Sequence, residues 1–373
     1  MKRFSEIFNS QEVFFETKKS SSESEFFKIL HQQPLSFLNF LYLLRQENAL
    51  RIKLIAAHAQ QLTVQRFGKT IQFFIPLYLS NECQSLCVYC GFSNHRKIKR
   101  TTLNDVQIEK NFEALKREGF DHVLLLTGED RLSSGVAYLV DAIRRAKKHF
   151  SFVGIEVFPM SVEDYARMVQ AGADNVVIYQ ETYHAETYSK MHLAGEKKDF
   201  QGRLDAPERA LEAGFRKVGL GALLGLHTDW RFEVVALAKH LDYLRRKFWR
   251  SEFTLSFPRI NPESILSKVP HPVSDQELIW ILSSLRLYFP EVGFVLSTRE
   301  NPELRDRLIE LCLTQISAGS KTNPGGYTGE DSSEQFSIRD ERSFSEMIQV
   351  VSKKGYDPIL KDWAPEFSGI SIS

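Results

Sequence analysis

The chain has 373 residues, 43% of them hydrophobic, and its 48 Lys and Arg residues nearly balance its 47 Asp and Glu residues. Because no long block of one charge sign is present, we expect no nucleic acid as a partner. The most apolar window, residues 35–44, is shorter than the roughly 20 residues that a membrane span needs. It is interpreted as a buried helix. No secretory signal is visible at the N-terminus, so we expect a cytoplasmic protein without a membrane segment.

Short β-rich segments alternate with helical segments from residue 71 onward, after an N-terminal helical extension that contains a Ser-rich polar stretch, interpreted as a linker, at residues 18–25. This alternation is typical of parallel strands joined by helices. Eight such strands predict an α/β fold of the (β/α)8 barrel type, as in a TIM barrel. The predicted strands are residues 71–79, 122–127, 152–158, 175–180, 217–220, 253–257, 293–297 and 314–317, and the predicted helices include 105–118 and 162–170.

The chain is predicted to divide into an N-terminal helical extension at residues 1–66, a barrel at 67–320 and a C-terminal extension at 321–373 that packs on the barrel. A last helix is expected near residues 344–353. In barrels of this type the chemistry lies on the loops that follow the strands. The functional residues are therefore sought directly after each predicted strand.

Three of the four cysteines, Cys83, Cys87 and Cys90, form a CxxxCxxC triplet on the loop after the first strand. Thiolates are the ligands of iron–sulfur clusters, and three of them leave one iron of a cubane open to a small molecule. The alternative is a noncatalytic zinc-binding protein, because His95 would complete a Cys3His set. The fourth cysteine, Cys312, lies among leucines and is predicted to be a buried hydrophobic residue.

With Tyr89, the triplet reads CxxxCxYC and resembles the signature of the radical S-adenosylmethionine superfamily. Further stretches, among them 66–72, 76–81, 179–184, 256–260, 296–300 and 316–320, are similar to the 2-iminoacetate synthases, the tyrosine lyases of thiamine biosynthesis. The resemblance implies a [4Fe-4S] cluster on the three cysteines and S-adenosylmethionine on the open iron. Hydrogenase-maturation tyrosine lyases are the nearest alternative. They carry a second cysteine-bound cluster, whereas no cysteine follows Cys312 here.

The resemblance also implies roles for residues after the other strands. Glu129, in a Thr-Gly-Glu version of the family's GGE motif, is expected to receive the amino group of S-adenosylmethionine, and Arg203 its carboxylate. Gln180, Glu181 and Gly221 are further expected contacts of this cofactor. The candidates for the substrate carboxylate are Ser297, Arg299 and Arg259.

The reaction implied by the resemblance is cleavage of the Cα–Cβ bond of L-tyrosine. Its products are 2-iminoacetate and p-cresol, formed together with 5'-deoxyadenosine and methionine. The implied partners are thiazole synthase, which receives the unstable imine, and a reduced flavodoxin or ferredoxin type electron donor. The protein would bind and orient the reactants while the cofactors carry out the difficult bond cleavage.

Overall fold

The computed structural model describes residues 2–9, 22–260 and 269–360. In these residues eight parallel strands close into a barrel, and helices surround it. The closing pair joins the first and last barrel strands at Gln72–Gln315, Phe73–Ile316 and Phe74–Ser317. The predicted (β/α)8 barrel is therefore confirmed.

The strands are β1 (Thr70–Ser80), β2 (Leu86–Cys87), β3 (His122–Thr127), β4 (Phe152–Glu156), β5 (Asn175–Glu181), β6 (His192–Ala194), β7 (Lys217–Ala222), β8 (Glu252–Ser256), β9 (Gly293–Leu296), β10 (Gln315–Ser317) and β11 (Asp357–Ile359). The barrel contains β1, β3, β4, β5, β7, β8, β9 and β10 in that order. Strands β2 and β6 pair with each other outside it, and β11 adds a parallel partner to β1. The predicted strands are found within two residues at each end, while β2, β6 and β11 were not predicted.

The helices are α1 (Phe4–Ile7), α2 (Glu23–Leu30), α3 (Phe37–Leu43), α4 (Ala49–Phe67), α5 (Asp105–Glu118), α6 (Val136–Ala146), α7 (Val162–Ala171), α8 (Ala185–Met191), α9 (Phe200–Leu204), α10 (Ala206–Glu212), α11 (Trp230–Lys247), α12 (Asp275–Tyr288), α13 (Pro302–Leu311) and α14 (Phe344–Lys353). A 3-10 turn occupies Glu196–Lys198. None of the helices in the described ranges is both long and apolar enough to cross a membrane.

Local capping chemistry explains why several helices begin where the sequence predicts. The Asn104 side chain accepts a hydrogen bond from the Gln107 amide at the start of α5, and Ser161 does the same for Asp164 at the start of α7. The prediction of a linker at 18–25 is wrong for residues 23–25, which are helical. Residues 18–21 lie outside the described residues, but the Ser22 hydroxyl caps α2, which begins at Glu23 with acidic residues in its first turn.

The C-terminal segment after β10 crosses the end of the barrel at which the strands finish. Tyr327 donates a hydrogen bond to the carbonyl of Pro76 at 2.7 Å, and the Gly91 amide donates to the carbonyl of Gln335 at 3.0 Å. The following helix, α14, packs Phe344 against Phe120 with ring centroids 4.0 Å apart. The segment thus contacts both the loop after β1 and the outer side of the barrel.

A buried ion pair attaches this segment to the barrel. Arg305 of α13 pairs with Asp340, and both side chains are almost completely buried. Asp340 also accepts hydrogen bonds from Arg342, while its own amide donates to the carbonyl of Thr298, 3.2 Å away. Burial would raise the pKa of Asp340, but Arg342 and Arg305 hold it below its usual value. Asp340 is therefore charged at neutral pH and neutralises Arg305.

We predict that Asp340→Asn lowers the free energy of unfolding by about 3–5 kcal/mol, because it leaves the Arg305 guanidinium buried without a counter-charge. Urea unfolding followed by circular dichroism measures the loss. The matched control is Asp331→Asn, which removes an exposed carboxylate 3.1 Å from Lys99 and is expected to cost at most about 1 kcal/mol. Equal, small losses in both variants would contradict the prediction.

Candidate active site

The cysteine loop, residues 81–100, connects β1 to α5 and carries the three candidate ligands. Cys83, Cys87 and Cys90 are all free thiols. The Cys90 amide donates to the carbonyl of Cys87 at 3.3 Å, and the Cys87 amide donates to the Ser93 hydroxyl at 3.0 Å. Arg100 closes the loop by donating to the carbonyls of Phe92 at 2.7 Å and Ser93 at 2.9 Å. The backbone of the loop is therefore fixed by its own hydrogen bonds.

Glycines allow neighbouring segments to approach this loop closely. A Cβ atom at Gly128 would lie 2.1 Å from the carbonyl oxygen of Glu82, and one at Gly195 would lie 2.5 Å from the Cα of Ser85. At Gly91 the obstacle would be the Gln335 carbonyl, 2.4 Å away. No other residue fits at these positions without a shift of backbone. Segments after β3, β6 and β10 thus hold the cysteine loop on three sides.

The electrostatics of the three thiols are set by burial and by one lysine. Burial raises the pKa of Cys90 to about 11 and also raises the pKa values of Cys83 and Cys87, whereas Lys197 lowers all three. Lys197 is itself held by Glu181, with Nζ and Oε1 2.8 Å apart. The free thiols are therefore protonated at neutral pH, and a bound metal has to displace their protons. One buried and two half-buried thiols beside a fixed cation suit the negatively charged thiolates of an iron–sulfur cluster.

His95 does not join these cysteines. Its Nδ1 lies 2.9 Å from the Ser93 hydroxyl. Within residues 2–9, 22–260 and 269–360, no three His, Cys, Asp or Glu side chains converge so that they could hold a single metal ion. A zinc ion requires its ligands at about 2.0–2.3 Å from one point, whereas each cysteine of a cubane binds a different iron. Cys312, distant in sequence, is fully buried, as predicted.

Glu129 and Arg203, expected to bind the two charged groups of S-adenosylmethionine, form an ion pair with each other. Arg203 Nη1 lies 2.8 Å from Glu129 Oε1, and the other carboxylate oxygen accepts a hydrogen bond from Ser85 at 3.2 Å. Burial would raise the pKa of Glu129, but Arg203 and Lys197 hold it below its usual value. Arg203 also donates to the carbonyl of Tyr179 at 2.7 Å. The pair joins the loop after β3 to α9.

Gln180, Glu181 and Gly221, the further expected contacts of S-adenosylmethionine on β5 and β7, differ in their surroundings. Glu181 has a φ of +68°, which is strained for a residue with a side chain, and it faces a cavity together with Lys197. Gln180 is not among the cavity residues, because side chains alternate along a strand. Gly221 lies beside a side chain of the neighbouring strand. A Cβ there would lie 2.1 Å from the ring of Tyr179, so the glycine makes room for this chain's own tyrosine.

The three candidates for binding the substrate carboxylate also differ in their surroundings. Arg259 is paired on both sides, with Glu300 and with Asp275 at 2.8 Å, and it is not among the cavity residues. These ion pairs connect Arg259 to the start of α12 and to the turn after β9, and Arg259 does not join the other two candidates at the cavity. Ser297 and Arg299 line the cavity. The Arg299 guanidinium lies 3.6 Å from the centre of the Phe336 ring, and its Nε has no hydrogen-bond partner among the described residues.

The cavity has a volume of about 650 Å³ and lies at the end of the barrel where the strands finish. It holds residues that the sequence reasoning missed: Tyr78, Glu156, Tyr179 and Lys197. Burial and the nearby Glu181 raise the pKa of Glu156 to about 7. Glu156 was missed because the predicted third strand runs on to residue 158, which places Glu156 inside it. In the structure Glu156 is the last residue of β4. Functional residues of (β/α)8 barrels lie at this end of the strands.

Comparisons with known proteins agree with this arrangement. Residues 77–238 match the Radical SAM superfamily, and residues 256–357 match the Biotin and Thiamin Synthesis associated domain. The chain is 40% identical over 337 residues to the 2-iminoacetate synthase of Salmonella typhimurium, covering 90% of this chain and 89% of that protein. It is 42% identical over 310 residues to the 2-iminoacetate synthase of Escherichia coli, covering 83% and 82% of the two chains.

Among solved structures, HydG, a maturase of the [FeFe]-hydrogenase, superposes with a TM-score of 0.85 and 31% identity, covering 96% of this chain and 78% of that one. These similarities overturn the alternative of a noncatalytic zinc-binding protein, since the matched superfamily consists of enzymes that use S-adenosylmethionine and an iron–sulfur cluster. The chain belongs to the 2-iminoacetate synthase family of radical S-adenosylmethionine enzymes.

Proposed function

We propose that this protein cleaves the Cα–Cβ bond of L-tyrosine to give 2-iminoacetate and p-cresol, with 5'-deoxyadenosine and methionine as the products of S-adenosylmethionine. The observation that carries the proposal is that Cys90 and Arg299 line the same cavity, and that Arg299 has no carboxylate partner among the described residues. A cluster ligand and an anchor for an amino-acid carboxylate thus face one enclosed space. The cavity is of the size of small-molecule sites.

Cys83, Cys87 and Cys90 would hold a [4Fe-4S] cluster, which leaves one iron for the amino and carboxylate groups of S-adenosylmethionine. When bound, these groups supply the reductive cleavage that starts the radical reaction. The protein contributes charge and position. Lys197 provides a fixed positive charge beside the thiolates, and the Tyr78 hydroxyl, which donates to Gln335 at 2.8 Å, holds the C-terminal segment over the cavity. Enclosure by this segment favours exclusion of water from the reacting atoms.

Glu129, Arg203 and Glu181 are the proposed polar contacts of S-adenosylmethionine. Because Glu129 and Arg203 already bind each other, the amino group of S-adenosylmethionine would donate a further hydrogen bond to the carboxylate of Glu129, and its carboxylate would accept one from the guanidinium of Arg203. Both side chains have hydrogen-bonding capacity left for this, since a carboxylate has about four acceptor positions and a guanidinium five donors. A preformed ion pair presents this acceptor and this donor at little cost in reorganisation.

Arg299 and Ser297 are the proposed anchors of the tyrosine carboxylate. Burial lowers the pKa of Arg299, while Tyr78 and Tyr179 are the strongest opposing influences. A buried guanidinium gains more from a carboxylate ligand than an exposed one does, because the surroundings screen less. The Arg299 amide also approaches the Ser297 hydroxyl at 3.4 Å. The two side chains thus belong to one turn after β9.

The proposal includes the division into an extension at 1–66, a barrel at 67–320 and a C-terminal extension at 321–373, together with a cytoplasmic location. The proposed partners are thiazole synthase, which would accept the easily hydrolysed imine, and a flavodoxin or ferredoxin type donor of single electrons. The proposed pathway role is supply of the thiazole moiety in thiamine biosynthesis.

The decisive experiment is an anaerobic assay of the reconstituted protein with dithionite, S-adenosylmethionine and one amino acid. We expect p-cresol and 5'-deoxyadenosine to form in a tyrosine-dependent manner, because the cavity holds an anchor for one amino-acid carboxylate. Phenylalanine and tryptophan serve as controls and are expected to give no aromatic fragment. Turnover of tryptophan but not of tyrosine would refute the proposed substrate.

We predict that Cys87→Ala abolishes the brown absorbance of the reconstituted cluster, because two remaining loop thiolates do not hold a cubane. The matched control is Cys312→Ala, which alters a fully buried cysteine outside the cysteine loop and is expected to retain the cluster. Absorbance near about 400 nm, where thiolate–iron charge transfer lies, and iron content are the measurements. A normal cluster in Cys87→Ala would contradict the proposed ligand set.

We predict that Arg299→Met raises the KM for tyrosine roughly tenfold or more, as expected when a charge-assisted hydrogen bond is lost. Cleavage of S-adenosylmethionine without tyrosine is expected to stay unchanged. The control is Arg339→Met, which alters an exposed arginine of the C-terminal segment. An unchanged KM in Arg299→Met would show that the carboxylate is bound elsewhere.

A further inference from the structure

Glu156 occupies a defined position in the wall of the cavity. Strand pairing places it beside Leu126 of β3, and Leu126 beside Tyr78 of β1. All three residues line the cavity. They therefore form one row of neighbouring side chains across three adjacent strands. Glu156 is the member of this row that carries a charge.

This carboxyl group has no fixed partner in the protein. Glu156 forms no hydrogen bond and no ion pair with the described residues, in contrast to Glu129 and Glu181, which are each paired with a cation. Its charge is nevertheless the strongest influence, after burial, on the pKa values of both Tyr78 and Tyr179. The group thus lies near two aromatic rings and keeps its hydrogen-bonding capacity for a ligand.

The position of Glu156 relative to Arg299 defines which end of a substrate it would meet. Glu156 ends the third barrel strand, whereas Arg299 follows the seventh. In a closed barrel of eight strands these two positions lie across the barrel from each other. An amino acid carries its ammonium next to its carboxylate, so a carboxylate held at Arg299 keeps the ammonium on that side. The opposite wall then faces the far end of the side chain.

We propose that Glu156 determines specificity by accepting a hydrogen bond from the phenol hydroxyl of the substrate, an inference that rests on the proposed cleavage of tyrosine. The rings of Tyr78 and Tyr179 and the apolar side chain of Leu126 would enclose the aromatic part of the substrate. A site built to bind a hydroxyl rejects the analogue without it, because the polar group of the site is then left unpaired.

The proposal also has a consequence for pH. Burial and Glu181 raise the pKa of Glu156 to about 7, so the accepting carboxylate form increases as pH rises through neutrality. Binding of tyrosine should therefore tighten between about pH 6 and about pH 8, whereas binding of phenylalanine should not follow this change. The charged groups that influence the pKa of Glu156 are Glu181, Lys197, Arg203 and Arg299, and Glu156 in turn influences Tyr78 and Tyr179; Cys90 also lines the same cavity.

The experiment is calorimetric titration of anaerobic holoprotein with tyrosine and with phenylalanine, for the wild type, Glu156→Leu and Glu156→Gln. We expect the wild type to bind tyrosine roughly tenfold or more tightly than phenylalanine, the range for a hydrogen bond to a charged group. Glu156→Leu should bind the two amino acids with similar affinity. Glu156→Gln, which keeps the shape of the side chain, should lose the pH dependence of tyrosine binding.

Leu125→Met is the matched control, because Leu125 is a fully buried neighbour on β3 that does not line the cavity, and the change adds no polar group. It is expected to keep the preference for tyrosine. A preference for tyrosine that survives in Glu156→Leu, or a pH dependence that survives in Glu156→Gln, would overturn the inference. If the wild type forms p-cresol from tyrosine and these variants behave like it, only this inference fails. If the wild type forms no p-cresol, the proposed function itself fails.

Discussion

Pairing of β1 with β10 closes the sheet, and the position of every functional residue depends on that closure. Because all eight barrel strands are parallel, their carboxyl ends form one ring, and the loops that follow them face one space. Residues as distant in sequence as Cys90 and Arg299 therefore line one cavity. An open sheet with the same strands would bring together only the loops of neighbouring strands.

The charged candidate residues that follow the barrel strands fall into two groups. Glu129 with Arg203, Glu181 with Lys197, and Arg259 with Glu300 are pairs within the protein, and their positions are fixed by their partners. Arg299 and Glu156 face the cavity without such partners among the described residues. Leaving even a half-buried charge unpaired has a cost, and such costs are usual at sites where a ligand provides the missing partner. The unpaired residues are therefore the better guide to the substrate.

The C-terminal segment contacts the cysteine loop and Arg299 in addition to covering the end of the barrel. Its backbone accepts a hydrogen bond from Gly91 in the cysteine loop, and its Phe336 ring supports Arg299. Asp340 in turn holds the segment to α13 through Arg305. The loop that carries the cysteines and the turn that carries Arg299, the proposed substrate anchor, are thus connected through one stretch of chain. A change in this segment is expected to affect both sites.

Short-range patterns in the sequence determined the eight strands, the caps of α5 and α7 and the cysteine triplet, because these features depend on neighbouring residues along the chain. The sequence also indicated Glu129, Arg203 and Arg299. Only the tertiary structure decided that Glu129 binds Arg203, that Arg259 is neutralised by Glu300, that Gly221 makes room for Tyr179, and that Glu156 ends its strand at the cavity. These facts depend on which strands are adjacent and on where each strand ends. The sequence does not show whether an arginine at the end of a strand has an ion-pair partner, because that partner is distant in sequence and becomes a neighbour only when the barrel closes.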